Sequence, residues 1–183
     1  MGDNDRGDLV RYYFLYLQLQ RIDEQKITGD IAELGVFEGN TALFINRISP
    51  HRRLHLFDSF EGFHERDSEK FATTDAFKDV SLEATKDRFP ATVKFYVRYF
   101  PEAAASIEPG TRFAIVHIDI DLETPIFAAL EFFYPLVNPS GAIIVHDYNN
   151  TISWSAAPRT PSIGFLSTSR KPLSRSQTDL AAS

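Results

Sequence analysis

Two apolar segments that both end in polar, acidic residues constrain this chain more than any other feature of its sequence. Residues 113–121 and 141–148 are each typical of a buried strand, and the segment 122–136 between them is long enough for a helix. This order predicts a β-α-β unit, whose crossover makes the two strands parallel. Because parallel strands end at the same edge of a sheet, where ligands bind, we expect their polar ends to converge there. The residues concerned are Asp119, Asp121, His146 and Asp147.

Length, charge and composition narrow the class of protein. A chain of 183 residues fits one domain with a full-sized core. The net charge of −6 argues against nucleic acid or an anionic membrane surface as the main partner. Without cysteine, the sequence has neither a disulfide scaffold nor a thiolate metal site. No apolar run approaches the ~18 residues of a membrane span. The N-terminus is unlike a signal peptide, so we predict a cytoplasmic protein.

The rest of the pattern predicts alternating strands and helices. Strands are predicted at 31–35, 54–58 and 93–97, and helices at 9–22, 41–48, 81–88 and 101–107. With the β-α-β unit they predict a doubly wound, mostly parallel α/β sheet in a domain that covers residues 1–154. The connection 59–80 is long enough to be a functional lid. The Ser/Pro-rich segment 155–183 predicts a disordered tail.

A glycine turn and an acid indicate a cofactor site. Residues 33–39 place Gly35 between a strand and a helix, where glycine lets a ligand approach the backbone and the helix offers free N–H groups. The spacing is not the G-x-G-x-x-G fingerprint, and a plain strand-to-helix turn is an equal interpretation. Asp58 ends a strand about 20 residues later, where an acid can bind ribose hydroxyls; a loop cap is the alternative. Together they indicate an adenosine-containing cofactor.

The acidic strand ends indicate a metal site and a general base. Asp119 and Asp147 offer the hard oxygen ligands that suit Mg²⁺, and such an ion would lower the pKa of a bound hydroxyl. Asp121 is expected on the same side of the strand as Asp119, because strand side chains alternate, and could take the hydroxyl proton. The alternative is that Asp121 caps the helix beginning at Leu122. His146 is a ligand, a supporting group or a core histidine.

Read together, these segments resemble the macrocin O-methyltransferase family. That family comprises S-adenosylmethionine-dependent, Mg²⁺-dependent enzymes that methylate sugar hydroxyls in natural products. The matching stretches are residues 29–39, 56–63, 99–102, 117–122, 130–135 and 146–149. The resemblance implies the Rossmann-like class I methyltransferase fold. It also implies S-adenosylmethionine and Mg²⁺ as cofactors, and a small-molecule hydroxyl acceptor such as a sugar or a glycoside.

The resemblance also implies roles for individual residues. The cofactor-binding residues that it implies are Glu33, Gly35, Val36, Phe37, Asp58 and Ser59. Asp119 and Asp147 match metal-ligand positions, with His146 as the third candidate, and Asp121 matches the general base. The implied mechanism is in-line transfer of a methyl group to a metal-bound, deprotonated hydroxyl, with positioning supplying much of the rate enhancement.

Three departures from the family pattern favour an alternative function. His146 stands where some relatives carry Asp, and Arg98 stands where Gly is frequent, beside the expected adenine pocket. After residue 154 the family usually continues with a helix and a closing antiparallel strand pair, but here that pattern stops. We therefore expect a sheet without its last strand pair, whose exposed edge favours association. The alternative is a catalytically impaired cofactor-binding or interaction protein. The apolar helix 9–22 indicates either self-association or burial in its own domain.

Overall fold

A six-stranded sheet with the order β3-β2-β1-β4-β5-β6 forms the centre of the structure, a computed structural model that describes residues 9–63, 77–146 and 163–167. The strands are β1 (Asp30–Leu34), β2 (Leu54–Asp58), β3 (Lys94–Val97), β4 (Phe113–Ile118), β5 (Val137–His146) and β6 (Ile163–Ser167). The first five are parallel to their neighbours, and β6 is antiparallel to β5. The strand order reverses between β1 and β4, which confirms the predicted doubly wound α/β fold.

Within the described residues, four α-helices flank this sheet at positions close to those predicted. They are α1 (Leu9–Glu24), α2 (Asn40–Ile48), α3 (Leu82–Lys86) and α4 (Glu123–Phe133), with short 3-10 helices at Glu102–Ser106 and Tyr134–Leu136. Ser81 caps α3, because its side chain accepts the backbone N–H of Ala84 at 3.3 Å. The predicted β-α-β unit is confirmed, since β4 and β5 are parallel neighbours on either side of α4.

Two apolar layers cover the two faces of the sheet. One contains Leu15 and Leu19 of α1 together with Ile45 of α2, all at most 1% exposed. The other is aromatic and includes Phe113 of β4 and Phe133 of α4, whose ring centroids are 5.3 Å apart. Every residue of β4 is buried, as expected for a central parallel strand that is covered on both faces.

The last strand occupies part of the segment predicted as a disordered tail. Residues Ile163–Ser167 pair with Ala142–His146, with His146 opposite Ile163. One antiparallel strand therefore follows β5, and it satisfies the backbone hydrogen-bonding groups of an edge that the sequence analysis expected to be exposed. The rest of the proposed tail and the domain boundary at residue 154 lie outside the described residues. Among the helices that the structure describes, none has the length and apolar character of a transmembrane span.

Candidate active site

A cleft of about 400 Å³ lies at the carboxyl edge of the sheet and gathers most of the predicted site residues. Eight of them line it: Gly35, Val36, Phe37, Asp58, Ser59, Asp119, Asp121 and His146. Glu33 does not line the cleft, and Asp147 lies outside the described residues. The convergence of strand ends expected from the β-α-β unit is therefore confirmed for the described ends of β4 and β5, and the ends of β1 and β2 lie in the same cleft.

The glycine turn after β1 is shaped by the neighbouring chain as well as by the cleft. Gly35 has a φ of +80°, a conformation that L side chains rarely adopt. A Cβ on this residue would lie 2.6 Å from the carbonyl carbon of Asp119, so glycine is required for the contact between the two loops. The N–H of Asp119 donates to the carbonyl of Leu34 at 2.8 Å. The turn and the acidic loop after β4 are thus fixed against each other.

Asp58 organises the same turn through its carboxylate. Its Oδ2 accepts the backbone N–H groups of Val36 at 2.7 Å and Phe37 at 2.9 Å. Its Oδ1 accepts the N–H of Phe60 at 2.7 Å. A carboxylate oxygen can accept two hydrogen bonds, so Oδ1 keeps one acceptor position for a hydroxyl group of a ligand. Asp58 thus caps both loops, as in the alternative interpretation, and still faces the cleft.

Asp119 is the centre of a charged cluster. Its Oδ2 accepts a hydrogen bond from Nη1 of Arg11 at 2.9 Å, and its Oδ1 lies 2.9 Å from Nδ1 of His146. Burial acts to raise the pKa of Asp119, but the hydrogen bond with His146 and the charges of His117, His146 and Arg11 outweigh it. The pKa of this carboxyl group therefore lies below its ordinary value, and Asp119 is an anion at neutral pH.

Arg11 is the site residue that the sequence analysis missed. It lies on α1, 108 positions before Asp119, and its side chain is 15% exposed. The one available signal was its place on the buried stripe of the helix, at four residues before Leu15 and eight before Leu19. A cation on a core-facing stripe needs a partner.

The described part of this cluster does not fit the predicted magnesium site, and the third candidate ligand, Asp147, lies outside the described residues. The expected ligands Asp119 and His146 contact each other, and the second carboxylate oxygen of Asp119 binds the guanidinium of Arg11. A cation beside that oxygen repels a second cation at short range. Within the described ranges, no three His, Asp or Glu residues are grouped so that they could hold a metal ion.

Asp121 reaches the cleft for a reason different from the predicted strand alternation. That prediction was wrong, because β4 ends at Ile118 and Asp121 lies in the following loop with a φ of +57°. The capping alternative does not hold either, since the N-cap position of α4 is Leu122. The loop conformation, held by the backbone contact with Gly35, places Asp121 in the cleft wall beside Asp119.

Glu33 and His117 form a buried pair beneath the cleft. Oε1 of Glu33 lies 2.9 Å from Nδ1 of His117, and both side chains are 1% exposed. Burial raises the pKa of Glu33, and the hydrogen bond with His117 opposes this shift only in part. The side chain of Glu33 thus packs under the site, and the predicted contact of this residue with a cofactor stays a prediction. His117 is buried inside β4, where it lies opposite Glu33 of β1.

Aromatic side chains and Arg98 form the outer wall of the cleft. Phe37 and Phe77 are 43% and 47% exposed, and their ring centroids are 5.4 Å apart. Arg98 lines the opening and is exposed to solvent. The wall thus combines apolar rings with a cation, and the sequence pattern did not predict the pairing of Phe37 with Phe77.

The part of the sequence that forms this cleft matches a known protein family. The model of the macrocin-O-methyltransferase (TylF) family matches residues 11–158, which include every described residue of the cleft. The chain belongs to the macrocin-O-methyltransferase family. The matched range runs from Arg11 to residue 158, so it contains most of α1 and strands β1 to β5 but not β6.

A curated member of similar sequence is the 8-demethyl-8-(2,3-dimethoxy-alpha-L-rhamnosyl)-tetracenomycin-C 4'-O-methyltransferase of Streptomyces olivaceus. The two are 28% identical over 140 residues, which cover 67% of this chain and 54% of that relative. The chain therefore spans about half the length of the curated relative that it matches.

Solved structures share the fold of this family member. The O-methyltransferase NovP superposes with a TM-score of 0.66 at 24% identity, covering 75% of this chain and 64% of NovP. The calicheamicin methyltransferase CalS11 gives 0.64 at 19% identity, covering 91% and 80%. TomG from Streptomyces achromogenes, solved in complex with SAM, gives 0.51 at 18% identity, covering 75% and 56%. These comparisons support the class I methyltransferase fold.

Proposed function

We propose that this chain is an S-adenosylmethionine-dependent O-methyltransferase that acts on a hydroxyl of a sugar or a glycosylated natural product. The observation that carries the proposal is the position of Asp121 in the same cleft as the turn organised by Asp58. One cleft therefore offers a cofactor wall and a proton acceptor, in a chain of the macrocin-O-methyltransferase family.

The cofactor side of the cleft fits a ligand with an adenosine group. Its volume of about 400 Å³ lies in the usual range for small-molecule sites. Oδ1 of Asp58 has an acceptor position open toward a ribose hydroxyl, while Val36, Phe37 and Ser59 line the adjoining wall. Bound S-adenosylmethionine would supply a methyl group on a positively charged sulfur. TomG, a protein of the same fold, was solved with this cofactor.

Asp121 accepts the proton of the acceptor hydroxyl in this proposal. The hydroxyl oxygen would then form a bond with the methyl carbon while the carbon–sulfur bond breaks. The electron pair of the broken bond would stay on the sulfur, which becomes a neutral thioether. The proton ends on the Asp121 carboxylate, so charge and atoms balance. The exposed rings of Phe37 and Phe77 are suited to pack on the apolar face of a polyhydroxylated ring whose hydroxyl contacts Asp121.

A curated relative supports this class of acceptor. The Streptomyces olivaceus enzyme is a 4'-O-methyltransferase of a rhamnosyl compound. We propose a related small-molecule acceptor here, with no nucleic-acid or membrane partner and a cytoplasmic location. Self-association through α1 stays a prediction; Tyr13 and Tyr16 of this helix are 64% and 39% exposed, while Tyr12 and Phe14 are half-buried.

The alternative is cofactor binding without turnover. The contact between Arg11 and Asp119 favours it, because this pair removes one carboxylate from acceptor and metal binding. Magnesium assistance, predicted from the sequence, depends on Asp119 being released from that contact.

The test combines binding with turnover. S-adenosylmethionine is titrated calorimetrically into the full chain, and methyl transfer to rhamnosides and related deoxysugar glycosides is followed by mass spectrometry. We expect Asp121→Asn to lower kcat about 100-fold or more while cofactor affinity stays within a factor of two or so. Glu24→Gln, the same carboxylate-to-amide change on the exposed end of α1, is the control. Binding without product on any acceptor supports the alternative, and no binding contradicts both.

A further inference from the structure

The contact between Arg11 and Asp119 concerns metal binding as well as methyl transfer. We propose that Arg11 is an intramolecular competitor of divalent cations: its guanidinium occupies the face of Asp119 that a metal ion would need. As folded, the chain neutralises Asp119 with its own side chain, and a divalent ion binds there only if that contact opens.

The geometry at the carboxylate supports the competition. Nη1 of Arg11 lies 2.9 Å from Oδ2 of Asp119, and Nδ1 of His146 lies 2.9 Å from Oδ1. Mg²⁺ binds carboxylate oxygens at about 2.0–2.1 Å and keeps a full shell of ligands around itself. An ion bound to Oδ2 would thus stand within a few ångströms of the guanidinium, where like charges repel strongly.

The packing of α1 holds the guanidinium in place. Leu15, Leu19 and Ile22 of this helix are at most 1% exposed, and Arg11 continues their stripe toward the cleft. At the other end of the helix, Nη2 of Arg52 contacts Oδ1 of Asp23 at 2.7 Å. Because the buried stripe and the Asp23 contact hold the helix from Leu15 onward, the contact mainly requires ordering of the Arg11 side chain, which limits its entropic cost.

Burial makes the contact more effective than a surface ion pair. The side chains of Arg11 and Asp119 are 15% and 19% exposed, so solvent and salt screen their attraction less than at the surface. Removing the guanidinium would leave a half-buried anion without its cation. Such a carboxylate gains most from an added divalent ion.

Metal affinity measures this competition without reference to cofactor or acceptor. Mn²⁺ is titrated into the full 183-residue chain and followed by electron paramagnetic resonance, and Mg²⁺ is titrated by calorimetry. We expect Arg11→Gln to bind Mn²⁺ about tenfold or more tightly than the unaltered chain. Arg47→Gln is the matched control, because it removes the same charge from an exposed position near the end of α2. Its affinity should stay that of the unaltered chain.

A second substitution tests whether the gain in Mn²⁺ affinity arises at Asp119. In the double variant Arg11→Gln, Asp119→Asn, the gain in Mn²⁺ affinity should disappear. Equal affinity of the unaltered chain and folded Arg11→Gln would overturn the proposal, and so would a gain that persists without Asp119. Circular dichroism establishes folding in each case.

A conservative variant covers the case in which Arg11→Gln does not fold. Arg11→Lys keeps the charge and the apolar stem but lacks the planar fork of the guanidinium. A smaller gain in affinity, about threefold, is expected from its weaker hold on Oδ2. No gain in a folded Arg11→Lys would count against the competition. All these readouts are independent of methyl transfer, so failure of this proposal and failure of the proposed function are distinguishable.

Discussion

The backbones of Gly35 and Asp119 are in direct contact at the carboxyl edge of the sheet. A Cβ on Gly35 would lie 2.6 Å from the carbonyl carbon of Asp119 and closer still to its oxygen. The residue that shapes the proposed cofactor turn therefore also determines how closely the acidic loop after β4 approaches that turn. A change in one wall of the cleft is transmitted to the other through this contact.

Gly35→Ala should separate steric overlap from backbone strain when it is compared with Gly110→Ala. Both glycines have nearly the same φ, +80° and +84°, but Gly110 has no heavy atom within 4 Å of an added Cβ. We expect Gly110→Ala to lower the free energy of unfolding by about 1 kcal/mol, which is the cost of the left-handed conformation. Gly35→Ala should cost about 3 kcal/mol or more because the loops must also move apart. Urea denaturation measures both, and equal losses would contradict the contact.

Asp58→Asn should weaken both the turn and cofactor binding. The amide keeps one acceptor oxygen but turns an NH₂ group toward backbone N–H donors, so at least one of the three hydrogen bonds of Asp58 is lost. The expected loss of stability is about 1–3 kcal/mol. Affinity for S-adenosylmethionine should fall about tenfold or more, as read by calorimetry. Asp87→Asn, on an exposed residue at the end of α3, should change neither quantity.

The ion pair between Arg11 and Asp119 should be visible as a coupling free energy. A double-mutant cycle with Arg11→Gln and Asp119→Asn isolates the pair from the other contacts of each residue. Because both side chains are mostly buried, we expect a coupling of about 1 kcal/mol or more in the free energy of unfolding. Additive effects of the two changes would show that the contact contributes nothing to stability.

Glu33 should give the protein a pH-dependent stability term of definite sign. Burial raises the pKa of Glu33 above its ordinary value of 4.5, so the folded chain holds a proton that the unfolded chain has already released. Stability from this group is complete below about pH 4.5 and falls as the pH rises through the folded-state pKa. The slope is at most about 1.4 kcal/mol per pH unit.

Glu33→Gln removes the titrating carboxyl group and, with it, this pH dependence of stability. Melting temperatures measured from pH 4.5 upward should therefore show the variant gaining relative to the unaltered chain as the pH increases. The exposed Glu24→Gln serves as the control for the loss of a charge. Parallel curves for Glu33→Gln and the unaltered chain would mean that Glu33 has the same pKa in the folded and unfolded states.

Elements with strong local patterns were predictable from the sequence. Strand β2 has the predicted bounds, Leu54–Asp58, because a buried apolar run ends there in an acid. The convergence of Asp119 and His146 followed from the parallel crossover alone. These features depend on periodicity and chain direction, both of which the sequence displays.

Features that depend on long-range contacts were not predictable in the same way. The partner of Asp119 lies 108 positions away on a different element, and no local pattern links the two. Glycine is likewise required at position 35 because the backbone of Asp119, 84 positions later in the chain, lies against it. The loop conformation of Asp121 departs from strand alternation because β4 ends at Ile118, and this end is set by packing rather than by composition.

The pairing of His146 with Ile163 brings together two backbone positions that are 17 residues apart in the sequence. The chain leaves the sheet at the cleft edge after β5 and returns to the same edge at the start of β6, so both anchors belong to one rigid scaffold. Lengthening a closed segment is inexpensive, because doubling its length adds only about 0.6 kcal/mol of closure entropy. A change in the number of residues between these two positions therefore costs little as long as β5 and β6 stay paired, and the register of the six strands can be kept.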